Sequence, residues 1–295
     1  MTGDDTSRAV LDKAARENFP VAPVFLPRAW RRDLMAVYGF ARLVDDIGDG
    51  DLAAGGRNDA VLLGLDADTA DDRIAMLDGF EADLRRVFDG TPRHPLLTAL
   101  QPTVRKHSLT PEPFLGLIAA NRQDQQVRRY PAYGDLLAYC ELSANPVGRL
   151  VLSITGTSTP ERIRRSDAVC TALQIVEHLQ DVAEDLGRDR IYLPAEDMKR
   201  FSVDEADLAA PSAGPQVREL VAFEAERARE LLAEGTPLVG SVRGRLRLLL
   251  AGFVGGGRAA LRAVAEAGYD VLAKSPKATK SSLLREVGST LRREG

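Results

Sequence analysis

The chain has 295 residues, of which 44% are hydrophobic and 28% charged, and its net charge at pH 7 is −4. This composition is typical of a soluble globular protein with a substantial core. The negative charge, together with the lack of any Lys/Arg-rich run, argues against nucleic acid as a partner. The acidic start, MTGDD, does not favour a secretory signal, and no run of 18 uninterrupted apolar residues predicts a membrane-spanning helix.

The two cysteines, Cys140 and Cys170, have no metal-ligand spacing. Two cysteines in a chain of this length are typical of reduced thiols in a cytosolic protein. We therefore expect a cytoplasmic protein, and peripheral contact with the inner face of the membrane is compatible with this composition. The sequence leaves open whether the protein is a monomer or a homodimer.

Helical periodicity dominates the sequence, and alternating strand patterns are scarce. The glycine- and aspartate-rich stretch 50–70 and the stretch 201–213 predict loops. No fixed-period repeat or low-complexity linker separates two cores, so we expect one all-helical domain over residues 1–295. The predicted helices cover 7–17, 28–48, 71–89, 95–107, 111–127, 133–156, 159–186, 215–234, 237–273 and 280–292.

The first long helix ends in the acidic sequence DDIGD, residues 45–49. Asp45 and Asp49 are four positions apart, so they share a helix face, and like charges at that spacing cost roughly 0.2–0.5 kcal/mol. Arg42 precedes Asp45 and Asp46 by three and four positions. Carboxylates suit Mg²⁺, which completes its shell with substrate phosphates, and a guanidinium suits the same phosphates. The pattern indicates a diphosphate site; a solvated helix end with an ordinary ion pair is the alternative.

A second acidic sequence, DVAED, occupies residues 181–185. It continues a polar stripe on an otherwise apolar helix, and such a stripe can simply face solvent. Because the chain contains two acidic stripes, we predict that they lie on antiparallel neighbouring helices and line one cavity. A structural role is the more usual one for the histidine of the stripe. The polar positions are Gln174, Glu177, His178, Asp181 and Asp185.

Three further features have two interpretations each. Pro146 interrupts a predicted helix, which indicates either a packing kink or room for an elongated apolar ligand with Tyr139 near its reacting end. The glycines of GFVGGG, residues 252–257, indicate close helix packing or space for a ligand. Arg190 is either a surface arginine or a side chain that closes over a diphosphate.

At these residues the chain resembles the squalene/phytoene synthase family, the head-to-head prenyl synthases. The sequence YGFARLVDDIGD (38–49) is similar to the first aspartate-rich motif of the family. The second motif is matched by QIVEHLQDVAED (174–185) followed by RIYLP (190–194). The resemblance spans about residues 10–275.

Two shorter strings resemble one branch of the family, the hydroxysqualene synthases encoded with hopanoid pathways. They are ENFPV (17–21) and YCELSANPVGR (139–149). The resemblance implies an isoprenoid synthase helical bundle with a central active-site cavity. It also implies catalytic roles for Asp45, Asp49, Asp181, Asp185 and Tyr139. The resemblance implies that Asp45, Asp49, Asp181 and Asp185 hold Mg²⁺ and that Arg42 and Arg190 bind the diphosphate. From the two polar stripes we add Asp46 and Glu177 as predicted Mg²⁺ ligands, and Tyr38 and Gln174 as predicted diphosphate partners.

In that branch presqualene diphosphate and water give hydroxysqualene and diphosphate in squalene and hopanoid biosynthesis, without a nicotinamide cofactor. One alternative is condensation of two prenyl diphosphates, farnesyl or geranylgeranyl, to presqualene diphosphate, squalene or phytoene. The other is a non-catalytic lipid-binding or assembly module.

The chain departs from the family pattern at three positions. Gly50 stands where a glutamate is frequent, and Glu177 where asparagine is common. We hypothesise that Glu177 joins the metal shell and partly replaces the missing acid. Gly257 stands where carotenoid-type members carry an aromatic residue, which predicts a roomier pocket.

Overall fold

The computed structural model describes residues 22–294. Within that range the structure is all-helical, and its β pairing is limited to one isolated parallel bridge, Arg129–Ile191. The predicted all-α fold is confirmed. The predicted helix 7–17 and the string ENFPV lie outside the described residues. The helices are α1 (Arg28–Asp49), α2 (Arg57–Leu63), α3 (Arg73–Asp89), α4 (Pro95–His107), α5 (Glu112–Gln126), α6 (Tyr133–Ser143), α7 (Asn145–Ile154), α8 (Pro160–Gln180), α9 (Val182–Gly187), α10 (Ala195–Arg200), α11 (Glu205–Leu208), α12 (Pro215–Gly235), α13 (Gly244–Glu266) and α14 (Lys280–Arg293).

Both predicted loops contain short helices. Helix α2 lies inside 50–70, where it buries Ala60 and Leu63, and Gly64 ends it in the left-handed conformation with φ 82°. Helix α11 lies inside 201–213 and begins with a capping box at Asp204. The loop predictions are wrong at these positions because burial and capping stabilise helices whose composition alone favours a turn.

The predicted helix 237–273 is too long at both ends. A 3₁₀ turn, Thr236–Leu238, precedes α13, which starts only at Gly244 and stops at Glu266. Gly268 and Tyr269 then adopt left-handed backbone angles, which no continuing helix tolerates.

Two other predicted helices are divided by a change in backbone angles. The helix over 133–156 breaks at Ala144, which has φ −114°, and Pro146 falls in the first turn of α7. A proline there removes no helical hydrogen bond, so the break bends the chain without an interior kink. The helix over 159–186 breaks at Asp181, which has φ −111° and ψ 15°.

Contacts divide the chain into two compact units. The described part of the first comprises residues 22–126 and 149–158, and the second comprises 127–148 and 159–294. In the first unit α1 packs on α3, α4 and α5. Phe40 of α1 lies at the centre of this core, stacked on Phe80 at 5.3 Å and edge-on to Phe114 at 5.0 Å between ring centroids.

In the second unit α8 packs on α12 and α13, and α14 packs on α13. The glycines of α13 allow this close approach. A Cβ on Gly257 would lie 2.8 Å from Leu173 and 3.1 Å from Leu232, and one on Gly255 would lie 2.7 Å from the backbone nitrogen of Val287. Close packing is therefore the correct interpretation at both glycines, and the room expected at Gly257 is taken by the two leucines.

Helix α13 is also long and apolar enough to cross a membrane, judged by length and composition alone. In its most apolar stretch 61% of the residues are buried inside the structure. This burial is what a core helix of a globular unit shows.

Candidate functional site

The first acidic cluster, Asp45, Asp46 and Asp49, occupies the last turns of α1 in the first unit. Val44 and Ile47 are buried, so the acids project from the other side of an anchored helix. Arg42 binds Asp46: its Nη2 and Nε lie 2.7 and 2.8 Å from Asp46 Oδ1. This is the i,i+4 ion pair of the alternative interpretation, and it uses one carboxylate of the Asp45–Asp46 pair. The role of Arg42 as a diphosphate partner stays a prediction. Tyr38, one turn before Arg42, is half-buried.

Asp45 points elsewhere, toward α5. Its Oδ1 accepts a hydrogen bond of 3.2 Å from Nδ2 of Asn121. Asp45 is exposed to solvent by accessible surface, yet the protein atoms packed around its carboxylate desolvate it and raise its pKa to about 7. The hydrogen bond from Asn121 and the charge of Arg42 oppose that rise, whereas the charges of Asp49 and Asp46 add to it.

The end of α1 is fixed by side chains from other helices. Gly50 closes the helix in the left-handed conformation with φ 76°. The carbonyl oxygen of Gly48 accepts hydrogen bonds from Gln125 Nε2 at 2.9 Å and from Arg73 Nη1 at 3.2 Å. The carbonyls that a helix leaves unpaired at its C-terminus are thus partly satisfied, and the acidic turn is held in place.

The second acidic cluster, Glu177, Asp181 and Asp185, lies at the junction of α8 and α9 in the second unit. The backbone bonds continue through the break: Asp181 N donates to Glu177 O, and Asp185 N donates to Asp181 O. Burial raises the pKa of Asp181, as do the charges of Asp185 and Glu184, while His178 and Lys277 lower it. Ser275 Oγ lies 3.4 Å from Asp181 Oδ1, and Glu177 is exposed.

His178 connects several residues of the predicted stripe. Its Nε2 is 3.1 Å from Gln174 Nε2, and its Nδ1 is 3.6 Å from Asp185 Oδ2. The ring stacks on Tyr192 with centroids 3.7 Å apart and planes 13° apart. The sequence placed this histidine on the stripe and Tyr192 in the RIYLP part of the motif, but their spacing does not signal that the two rings stack.

Tyr139 belongs to an aromatic cluster with Tyr130 and Tyr192. The ring centroids of the three tyrosines are 5.5 Å apart in each pair. Arg190 is buried as well, with 8% of its surface exposed, and its backbone nitrogen donates to Asp185 O at 2.8 Å. The interpretation of Arg190 as a surface arginine is therefore wrong. Arg188, in contrast, is exposed and pairs with Glu184 at 3.3 Å.

Both acidic clusters consist of hard oxygen donors of the kind that Mg²⁺ takes. Among residues 22–294, no group of three or more His, Cys, Asp or Glu side chains lies close enough together to hold a metal ion in the present conformations. The raised pKa values of Asp45 and Asp181 arise partly from neighbouring carboxylates, so a divalent cation would relieve a repulsion already present in each unit. The predicted placement of both stripes around one cavity stays a prediction.

Sequence reasoning missed the residues that support the clusters. Asn121 lies 76 positions from Asp45, and Ser275 lies 94 positions from Asp181, so no spacing within either motif signals the contact. A cavity of about 410 Å³ in the second unit adjoins this serine and is lined by Lys274, Lys277 and the end of α13. No sequence pattern pointed to it.

Comparison with known proteins identifies the family. The family model for squalene/phytoene synthase matches residues 12–284. The chain is 32% identical over 228 residues to the hydroxysqualene synthase of Rhodopseudomonas palustris, covering 77% of this chain and 72% of the relative. It is 30% identical over 227 residues to the phytoene synthase of Arthrospira platensis, covering 72% and 68%.

A solved structure agrees with these relatives. The crystal structure of squalene synthase HpnC from Alicyclobacillus acidocaldarius is 40% identical in sequence, has a TM-score of 0.77, and the match covers 90% of this chain and 95% of that one. The family match extends over nearly the whole sequence and includes both acidic clusters. The chain belongs to the squalene/phytoene synthase family.

Proposed function

We propose that the protein is a Mg²⁺-dependent terpenoid synthase that converts presqualene diphosphate and water to hydroxysqualene and diphosphate. The observation that carries the proposal is the pair of carboxylate clusters within a chain that matches the family over residues 12–284. Similarity to two proteins named hydroxysqualene synthase or HpnC, at 32% and 40% identity, supports this branch.

In this proposal the carboxylates of each cluster hold Mg²⁺, and the ligands are Asp45, Asp46, Asp49, Glu177, Asp181 and Asp185. Bound Mg²⁺ would neutralise the charge that grows on the departing diphosphate. Arg42, Arg190, Gln174 and Tyr38 bind the oxygens of the diphosphate. Arg190 suits this role because it is buried beside Asp185, where a charged hydrogen bond to phosphate is strong.

The reaction begins when the C–O bond to the diphosphate breaks and the electron pair leaves with the diphosphate. The remaining cyclopropylcarbinyl cation opens its ring, and one water molecule adds to the cation and loses a proton to give the alcohol. In this proposal the ring of Tyr139, packed with two other tyrosines, would stabilise a nearby cation and exclude further water.

A second candidate is the condensation of two prenyl diphosphates to presqualene diphosphate, squalene or phytoene. The 30% identity to a phytoene synthase supports this second candidate. Incubating the purified protein separately with farnesyl, geranylgeranyl and presqualene diphosphate, with and without Mg²⁺, distinguishes the two by mass spectrometry. We expect hydroxysqualene from presqualene diphosphate only. Turnover of farnesyl or geranylgeranyl diphosphate alone would contradict the proposal.

A non-catalytic role in lipid binding or assembly is the third candidate. The persistence of Asp45, Asp49, Asp181 and Asp185 disfavours it, because a binding module has no need of closely spaced acids that repel one another. A protein that binds prenyl diphosphates without converting any of them at saturating Mg²⁺ would support this role instead.

A further inference from the structure

Helix α5 supports the acidic end of α1 through two amide side chains. Asn121 and Gln125 are one helical turn apart, and both contact the last turns of α1. Asn121 Nδ2 donates to Asp45 Oδ1 at 3.2 Å, and Gln125 Nε2 donates to Gly48 O at 2.9 Å. Helix α5 is itself anchored on α1 by the edge contact of Phe114 with Phe40.

Asn121 is held through both its side-chain amide and its backbone. Its Nδ2 also lies 3.2 Å from Leu117 O, and its backbone oxygen accepts from Gln125 Nε2 at 3.0 Å. On the α1 side the amide oxygen occupies the space that a side chain at position 48 would need: a Cβ on Gly48 would lie 2.1 Å from Asn121 Oδ1. The glycine thus admits the amide, and the amide sets the direction of the Asp45 carboxylate.

We propose that Asn121 is a positioning residue that orients Asp45 as a Mg²⁺ ligand. Gly48 is required because a side chain at that position would displace the Asn121 amide. This inference rests on the proposed function, because that function places a metal on Asp45. The chemistry is that of groups behind metal ligands generally: a hydrogen bond to one carboxylate oxygen leaves the other oriented toward the cation.

The first test measures metal binding without turnover. Binding of Mn²⁺, with inorganic diphosphate present as the substrate head group, is followed by the EPR signal of free Mn²⁺ on the full-length protein. For Asn121→Ala we expect the dissociation constant for Mn²⁺ to rise about 10-fold, the lower end of what losing such a partner costs. The half-saturating Mg²⁺ concentration for turnover should rise in parallel, with kcat at saturating Mg²⁺ changed less.

Gly48→Ala tests the same contact from the other helix. Alanine is the better helix former, and its Cβ would displace the flexible end of Asn121 rather than backbone. We expect the same loss of Mn²⁺ affinity with the thermal midpoint in EDTA little changed. This variant also keeps the inference testable if Asn121→Ala does not fold.

Arg122→Gln is the matched control on α5. The guanidinium of Arg122 pairs with Asp78 and Glu81 of α3, so Mn²⁺ affinity should not change when it is replaced. Three results would overturn the inference: unchanged affinity in Asn121→Ala or Gly48→Ala, an equal loss in the control, or a parent protein that binds no Mn²⁺. If the parent binds Mn²⁺ and the variants lose it while no prenyl diphosphate is converted, the proposed function fails and the positioning role stands.

Discussion

The two acidic clusters differ in how the backbone supports them. The first lies on the unbroken end of α1, and amides from α5 hold both its carboxylate and its terminal carbonyl. The second lies where α8 gives way to α9, and its support comes from His178, Ser275 and the chain around Arg190. Similar motifs in sequence therefore rely on different tertiary contacts.

The electrostatic consequence is the same in both clusters. Burial and neighbouring acids raise the pKa of Asp45 and of Asp181. At Asp45, placement at the C-terminal end of a helix adds the negative end of the helix dipole. A cation bound at either cluster would relieve this repulsion, and the following predictions test the proposal that Mg²⁺ binds there.

The largest effect is expected when an acid is removed from each cluster. In Asp45→Asn combined with Asp181→Asn, turnover of presqualene diphosphate should fall about 10³-fold or more, because several kcal/mol of leaving-group stabilisation are lost. Mass spectrometry of the product measures this. The matched control is Asp51→Asn combined with Glu184→Gln, two exposed acids next to the clusters. A similar fall in the control would show that net charge, not the clusters, matters.

Glu224 provides a pH-dependent group outside both clusters. It is buried beside Asp197 and Arg227, and burial raises its pKa from 4.5 to about 7. Because the folded protein holds this proton more tightly than the unfolded chain, the contribution of Glu224 to stability should be greatest below pH 4.5. It should fall by up to about 3 kcal/mol as the pH rises to 7 and stay constant above 7. Urea unfolding between pH 5 and 8 should show a flatter profile for Glu224→Gln. An unchanged slope would exclude Glu224 as the cause.

The Glu224→Gln variant removes a second group that titrates near pH 7, so the role of Asp45 in Mg²⁺ binding can be tested in that background. With its pKa raised to about 7, Asp45 binds a proton in competition with Mg²⁺ as the pH falls. In the Glu224→Gln background, the half-saturating Mg²⁺ concentration should therefore rise up to about 10-fold per pH unit below 7 and level off above it. Equal half-saturating Mg²⁺ concentrations at pH 6 and pH 8 would show that Asp45 is not a metal ligand.

The smallest effect is expected at Glu177, which is exposed. If it joins the metal shell of the second cluster, Glu177→Gln should raise the half-saturating Mg²⁺ concentration about 2- to 5-fold, the size expected of an accessible charge. Glu184→Gln is the control, since that exposed acid pairs with Arg188. Unchanged Mg²⁺ dependence of turnover in Glu177→Gln would exclude this residue from the shell.

Much of the fold follows from local patterns in the sequence. The apolar periodicity of α1 predicts a helix over 28–48, and the structure has Arg28–Asp49. Helix α14 agrees equally well, with 280–292 predicted and Lys280–Arg293 found. These helices were predictable because periodicity and end signals lie within the segment itself.

The errors occur where tertiary contacts outweigh local composition. Helix α2 exists because Ala60 and Leu63 are buried, although its surroundings are rich in glycine and aspartate. The break at Asp181 lies within a segment whose apolar pattern continues without interruption. The spacing of residues in the sequence predicts neither the burial of α2 nor the change in backbone angles at Asp181.

The sequence by itself determined the helical class, the family, and the two sets of acids spaced to share a helix face, since each depends on residues a few positions apart. Only the tertiary structure decided which groups support those acids: the Asn121 amide on Asp45, the stacking of Tyr192 on His178, and the burial of Arg190. The physical reason is that hydrogen bonds and burial depend on distances in space, and many arrangements of distant segments are compatible with the same local pattern.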